Sequence, residues 1–393
     1  MTTVERCPVQ QFTMLAGPQP VDPFEVYSEV GCVPPFWTDN PNDVDGFWVV
    51  TRYADVRAVL QDADSFSSLE AFIPRVALPN PMLPTESDPP DTRKYRSILL
   101  PAMTPAKIDP LEPRMHAVCA EIIDSFVDRG SCDVIADFAR EYPIRIFVEF
   151  FGLPPERSEE FREHAHTFLH SPPQRPTEWA AIRAIVEEQL RAKREDPQND
   201  LLSAIANGRI DDELIDLDTA MNVAATVFLG GLDTLPSNIG WSLGYLAQHD
   251  EMRRRLVDDP ALVPQAVEEF LRFYSVANPV RRAKKDVELG GSTLRAGDRL
   301  FLIMGRADRD DDEFTAATQV SFDRDVNNHL AFGAGSHRCL GSHLARHELG
   351  VALTEWHARI PDYRIPNSAK VSFQGGVLAM GSLPLAWDVP ATA

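Results

Sequence analysis

The chain has 393 residues, 44% of them hydrophobic, which is enough to bury a sizeable core in one to three domains. Its 38 basic and 59 acidic residues leave a formal net charge of −21, so the average surface repels phosphate and nucleic acid is excluded as a general partner. No apolar run reaches the roughly 20 residues that span a bilayer, and the polar start Met1-Thr2-Thr3-Val4-Glu5-Arg6 has no secretory-signal core, which points to a cytoplasmic chain without membrane attachment.

In chain order, the first strand signal is Gly46-Phe47-Trp48-Val49-Val50-Thr51. Prolines crowd between Pro74 and Pro90 and predict a long irregular loop, the kind of segment that carries binding residues. Over residues 111–129, Met115, Val118, Cys119, Ile122, Ile123 and Phe126 recur at steps of three and four and predict a helix with one buried stripe. The same periodicity predicts helices over 177–195, 214–249, 261–273 and 342–360, the last with Leu349, Leu353, Trp356 and Ile360 on its inner face. Short strands are expected at 287–289, 299–302 and 383–387. The expected fold is mainly α with small sheets, and neither a repeat nor a Gly/Ser linker divides the chain. The five cysteines, Cys7, Cys32, Cys119, Cys132 and Cys339, are odd in number and lack paired metal-ligand spacing, which argues against a disulfide framework or a zinc site.

Chemistry concentrates in the run Ala331-Phe332-Gly333-Ala334-Gly335-Ser336-His337-Arg338-Cys339-Leu340-Gly341. A helix begins directly after the sulfur, and its positive end stabilises a thiolate. The glycines allow tight turns and the close approach of a flat ligand, and Phe332 can shield the sulfur from water. The bland alternative is a structural cysteine in a Gly-rich turn; three glycines, an aromatic, two basic residues and an immediate helix start together speak against it. A second constellation, Gly230-Gly231-Leu232-Asp233-Thr234, lies inside the longest helical stretch. Two interior glycines cost about 1 kcal/mol each relative to alanine. Pro236 also lacks the N–H that would bond the carbonyl of Leu232, so a distorted helix is expected. An acid beside a hydroxyl at such an opening suits a proton relay, Thr234 holding oxygen or water and Asp233 exchanging protons with solvent. A helix break with a solvated Asp and a back-bonded Thr is the simpler reading. Glu269-Phe270-Leu271-Arg272 places an acid and an arginine on one helix face and by itself signals only an ion pair.

Phe-x-x-Gly-x-x-x-Cys-x-Gly resembles the haem-ligating signature of the cytochrome P450 superfamily, and Gly-Gly-x-Asp-Thr resembles its distal-helix motif. Segments such as Phe72-Ile73-Pro74-Arg75, Ser87-Asp88-Pro89-Pro90 and Pro143-Ile144-Arg145-Ile146-Phe147 extend the likeness, in order, to the class I, camphor 5-monooxygenase-like branch over nearly the whole chain. The resemblance implies one domain over 1–393: a β-richer part to about residue 70, a helical haem-binding core over about 88–360, and a C-terminal β region over 361–393. It implies haem b held by Cys339 as the metal ligand with Phe332, Gly335 and Gly341 around it, and propionates anchored by Arg96, Arg281 and His337. Many relatives carry a histidine four residues before the arginine that corresponds to Arg96, where this chain has Thr92. It implies Asp233 and Thr234 as the catalytic pair, Arg324 as the buried partner of Glu269 and Arg272, and a substrate pocket of Phe72, Asn80, Met82, Leu83, Thr226, Leu229, Gly230, Ala277 and Val377. Asn80 stands where the camphor enzyme has a substrate-bonding tyrosine, which speaks against camphor itself.

The implied activity is hydroxylation of an unactivated C–H bond of a small hydrophobic substrate, terpenoid or norisoprenoid in class, by a monomer using O2. Electrons would come from NADH through a ferredoxin reductase and a two-iron two-sulfur ferredoxin. Because such ferredoxins are acidic, the face around Cys339 should be basic, with Arg96, Arg338, His343 and Arg346 as docking candidates. Three other readings stay open: a non-catalytic haem-thiolate sensor, a peroxide-driven or rearranging member of the fold, and an aromatic or alkyl substrate.

Overall fold

The computed structural model describes residues 12, 14–15, 18–39, 46–73, 78–375 and 377–389. Cys7, Pro74 and Arg75 lie outside the described residues. Helices dominate, and the apolar stripes read from the sequence are where the core forms. Met115, Val118, Cys119, Ile122 and Ile123 are buried on the helix Glu112–Asp124, which packs against Ser342–Arg359, whose Leu349, Leu353 and Trp356 are fully buried. The remaining predicted helices occur at Arg175–Glu195 and Val263–Phe273. Asp91–Leu99 is the helix that carries Arg96 after Ser87-Asp88-Pro89-Pro90, and further helices lie at Tyr53–Gln61, Glu141–Phe151 and Ser158–His170.

The largest sheet runs in the order Phe36–Thr38, Phe47–Val50, Arg299–Leu302, Val280–Ala283, Phe66–Ser67. Phe47–Val50 and Arg299–Leu302 are parallel, with Trp48 opposite Leu300, and the other pairings are antiparallel. Leu300 also lies opposite Arg281, so this sheet sets where that guanidinium enters the interior. Residues 78–90 form turns without regular structure, as the proline cluster predicts. Cys32, Cys119, Cys132 and Cys339 are all free. No described helix is long and apolar enough to cross a membrane.

The expected single helix over 214–249 is two. Leu217–Leu232 starts at Asp216, whose side chain accepts from the Thr219 N–H at 2.8 Å, and Thr234–Leu246 follows after a break at Asp233 (φ −124°, ψ −23°). Ser237 Oγ donates to the Asp233 carbonyl at 2.7 Å and Asn238 Nδ2 to the Thr234 carbonyl at 3.0 Å. Both side chains bond back to carbonyls in the first turn after the break.

Candidate active site

A cavity of about 550 Å³ lies between the 217–246 helix pair and the cysteine loop, and its wall includes Cys339, Arg96, Arg281, His337, Thr234 and Gly230. Two local devices shape it. Gly335 has φ +68° and packs so closely on the Leu60 carbonyl that any Cβ would collide with it. The loop is then closed by the Cys339 N–H donating to the Phe332 carbonyl at 2.8 Å, which presents the sulfur to the cavity. Burial pushes the Cys339 thiol up, while the Gly341 N–H and the charges of Arg96, Arg338 and Arg346 pull it down. Phe332 also lines the cavity, its ring 4.6 Å from the Arg346 guanidinium.

Three nitrogen groups on this wall fit a ligand that carries carboxylates. Arg281 is 8% exposed, donates to the Val280 carbonyl at 2.8 Å and forms no ion pair among the described residues. Burial lowers it to about 10, so it stays cationic at neutral pH. His337 Nε2 is buried with no hydrogen-bond partner, and burial together with Arg281 and Arg96 depresses the imidazole to about 4. Arg96 donates to the Arg338 carbonyl at 2.7 Å and lines the cavity beside them. Thr92 is turned away, its hydroxyl donating to the Ser87 carbonyl at 2.8 Å, so it offers nothing to such a ligand. A buried cation, a half-buried one and an unpartnered imidazole nitrogen beside a thiol on the same cavity wall are the set that haem propionates and an iron ligand require.

Four expected pocket residues are elsewhere. Asn80 is not on the wall: its Oδ1 accepts from Arg183 Nη1 at 2.5 Å. Met82 and Leu83 are buried in the core that packs around Trp179 and Phe228, while Pro84 and Thr85 take their place on the wall. Leu229 faces that same core, because Thr226, Val227, Gly230, Gly231 and Thr234 occupy one side of the helix pair and Leu229 projects about 130° away at 100° per residue. Phe72, Thr226, Gly230, Ala277 and Val377 do line the cavity. The two glycines divide their labour: a Cβ on Gly231 would collide with the Phe147 ring, whereas one on Gly230 would meet nothing within 4 Å.

Thr234 faces the cavity, but Asp233 does not. Its Oδ2 lies 2.7 Å from His170 Nε2 and its Oδ1 3.8 Å from His166 Nδ1. These two histidines outweigh its burial and hold the carboxyl far below the usual carboxylate range. His170 Nδ1 is 2.9 Å from the Gly375 carbonyl, so the imidazole bridges the helix break to the C-terminal loop. Of the docking candidates, His343 pairs with Asp109 at 2.7 Å and Arg346 with Glu268 at 2.5 Å, which neutralises part of the expected basic face. Sequence reasoning missed Arg175, Asn238 and Glu348 on the wall. Asn238 Oδ1 is buried without a partner, and burial pushes the Glu348 carboxyl well above the usual carboxylate range. None of the three sits in a sequence pattern that would mark it.

The cytochrome P450 family profile matches residues 180–356. "Probable cytochrome P450 127A1" of Sinorhizobium fredii is 32% identical over 391 residues, 96% of this chain and 94% of that one. The chain belongs to the cytochrome P450 family. Its members bind haem b and act as hydroxylases and oxygenases. "Nocardicin C N-oxygenase" of Nocardia uniformis subsp. tsuyamanensis is 34% identical, covering 86% of this chain and 89% of its own. Among solved structures, CYP101C1 superposes with a TM-score of 0.88 at 28% identity, covering 97% of this chain and 98% of that one.

Proposed function

We propose that this P450 is a class I, camphor 5-monooxygenase-like enzyme, one domain over its 393 residues. It hydroxylates an unactivated C–H bond of a small hydrophobic substrate of terpenoid or norisoprenoid size. Its electrons pass from NADH through a ferredoxin reductase and a two-iron two-sulfur ferredoxin. The observation that carries the reading is the meeting, on one cavity, of the Cys339 sulfur, the buried Arg281 guanidinium that forms no ion pair among the described residues, the unpartnered His337 Nε2 and the Thr234 hydroxyl at a helix break.

When bound, haem b supplies O2 activation, with one oxygen atom entering the substrate and the other leaving as water. Cys339 Sγ would hold the iron, and the Gly341 N–H and neighbouring arginines offset part of the cost of a buried thiolate there. Arg96, Arg281 and His337 Nε2 would hold the propionates. Phe72, Thr226, Ala277 and Val377 orient the substrate by apolar contact and exclude water, with Gly230 leaving room for it. Thr234 Oγ1, only loosely held by the Gly230 carbonyl at 3.4 Å, is free to rotate and offer its proton inward. Asp233 exchanges protons on the outer side, where His170 and His166 hold its two oxygens.

The test is Thr234→Ala in the reconstituted enzyme. NADH consumption continues while product falls, by the roughly 10²–10⁴-fold that a positioned proton donor contributes, and hydrogen peroxide rises. Unchanged coupling removes the relay.

A further inference from the structure

We propose that Arg175 selects a substrate bearing a carboxylate, held by guanidinium N–H groups at the cavity wall. The proposal deepens the reading of the cavity as a substrate site beside haem and rests on it. Arg175 opens the helix Arg175–Glu195, and its side chain packs inward to 7% exposure. Two carbonyls hold the guanidinium from one side: Nε donates to Phe168 at 3.0 Å and Nη2 to Leu169 at 3.3 Å. The Phe72 ring lies 4.3 Å from its central carbon and fixes the plane. Nη1 is buried with no partner, and Arg175, Phe72 and Leu169 share the cavity wall.

The arrangement costs stability as it stands, because the two carbonyls and the ring replace only part of the hydration that a buried cation with one unmade hydrogen bond loses. Burial alone accounts for its lowering, to about 10, and no carboxylate among the described residues offsets it. It therefore remains charged at neutral pH. Arg175 is also separate from the propionate anchors. Arg281 and Arg96 lie beside His337, whereas Arg175 is held among Phe168, Leu169 and Phe72. A neutral ketone would satisfy the orphaned N–H but not the charge; a carboxylate satisfies both and matches the planar fork. Phe72 and Leu169, which adjoin it on the wall, are apolar. The expected ligand is thus an apolar skeleton with one acidic end.

The experiment titrates haem-loaded protein near pH 7.5, following the Soret shift, with matched pairs: cyclic monoterpene carboxylic acids against their methyl esters, then aromatic and alkyl acids against theirs. The wild type is expected to prefer the acids by roughly 10- to 100-fold, the range of hydrogen bonds to charged groups. Arg175→Met loses that preference through weaker acid binding with ester binding kept, and Arg175→Lys retains part of it. A red-shifted ferrous-carbonyl band in each variant certifies the loaded fold. Equal binding of acid and ester by the wild type, or an acid preference untouched in Arg175→Met, overturns the proposal. Terpenoid esters that bind as well as the acids leave the substrate-size reading standing and sink only the carboxylate. Arg175-dependent binding of aromatic or alkyl acids but no terpenoid acid does the reverse.

Discussion

Glu269→Ala is the perturbation whose consequence follows most directly from the geometry. Glu269 is fully buried and accepts from Arg272 Nε at 2.9 Å and Nη2 at 2.8 Å, Arg324 Nε at 3.1 Å, the Ser321 N–H at 2.8 Å and Asn327 Nδ2 at 3.1 Å. Truncation leaves the fully buried Arg272 guanidinium beside a second arginine with no counter-charge. Removing one partner of a buried pair costs about 3–5 kcal/mol. With an unfolding entropy of about 2.1 cal/mol/K per residue, 393 residues give roughly 0.8 kcal/mol/K, so Tm falls by ~4–6 °C. The effect also reaches the site. Arg272 Nη1 donates to the Asp308 carbonyl at 2.6 Å, Asp308 Oδ1 accepts from the Leu330 N–H at 2.7 Å, and the Leu330 carbonyl accepts from the Gly333 N–H at 2.7 Å. Haem release from the variant to a scavenger apoprotein should therefore be faster than from the wild type. Calorimetry of the haem-loaded protein and a haem-transfer assay read both effects. Glu269→Gln, which removes the charge at constant volume, should fall in the same range. A Tm within about 1 °C of wild type, with unchanged haem release, would show that the network holds neither the fold nor the loop.

Two further predictions concern the same interior. Gly231→Ala should destabilise by about 1–3 kcal/mol because its Cβ meets the Phe147 ring, whereas Gly230→Ala, with open space beside it, should stay neutral or gain the ~1 kcal/mol of helix propensity; equal denaturant midpoints for the two variants would contradict the assigned faces. Burial pushes the Asp308 carboxyl up to about 6, against the bonds it accepts from Ser275 and Leu330. The folded state therefore holds that proton more tightly than the unfolded chain does. The resulting stability is fully present below about pH 4 and is lost as pH rises to about 6. Asp308→Asn should accordingly gain on the wild type by ~2 kcal/mol between pH 4 and pH 7, and parallel denaturant midpoints at the two pH values would refute the sign.

The local patterns were legible in the sequence because each is fixed by neighbouring residues. The lone cysteine among glycines, the glycine pair ahead of Pro236 and the Glu-x-x-Arg step all act through backbone freedom, a missing N–H or helical spacing, and all three occur where the residues predict. The apolar periodicities located the core helices for the same reason, with boundary errors where caps such as Asp216 decide the start. Side-chain direction was not legible. Leu229 and Thr226 are three residues apart on one helix, yet only the rotation of that helix against Phe147 and Trp179 decides which sees the cavity. Asp233 reads as Thr234's partner by adjacency, but the break turns it to His170, 63 residues away. Arg175, Asn238 and Glu348 carry no motif, and their character comes from what packing withholds from them: a counter-charge, a donor, water. Periodicity and propensity are written in intervals of a few residues, whereas desolvation depends on every segment that closes over a group, so the chemistry of the cavity wall was settled only when the chain packed.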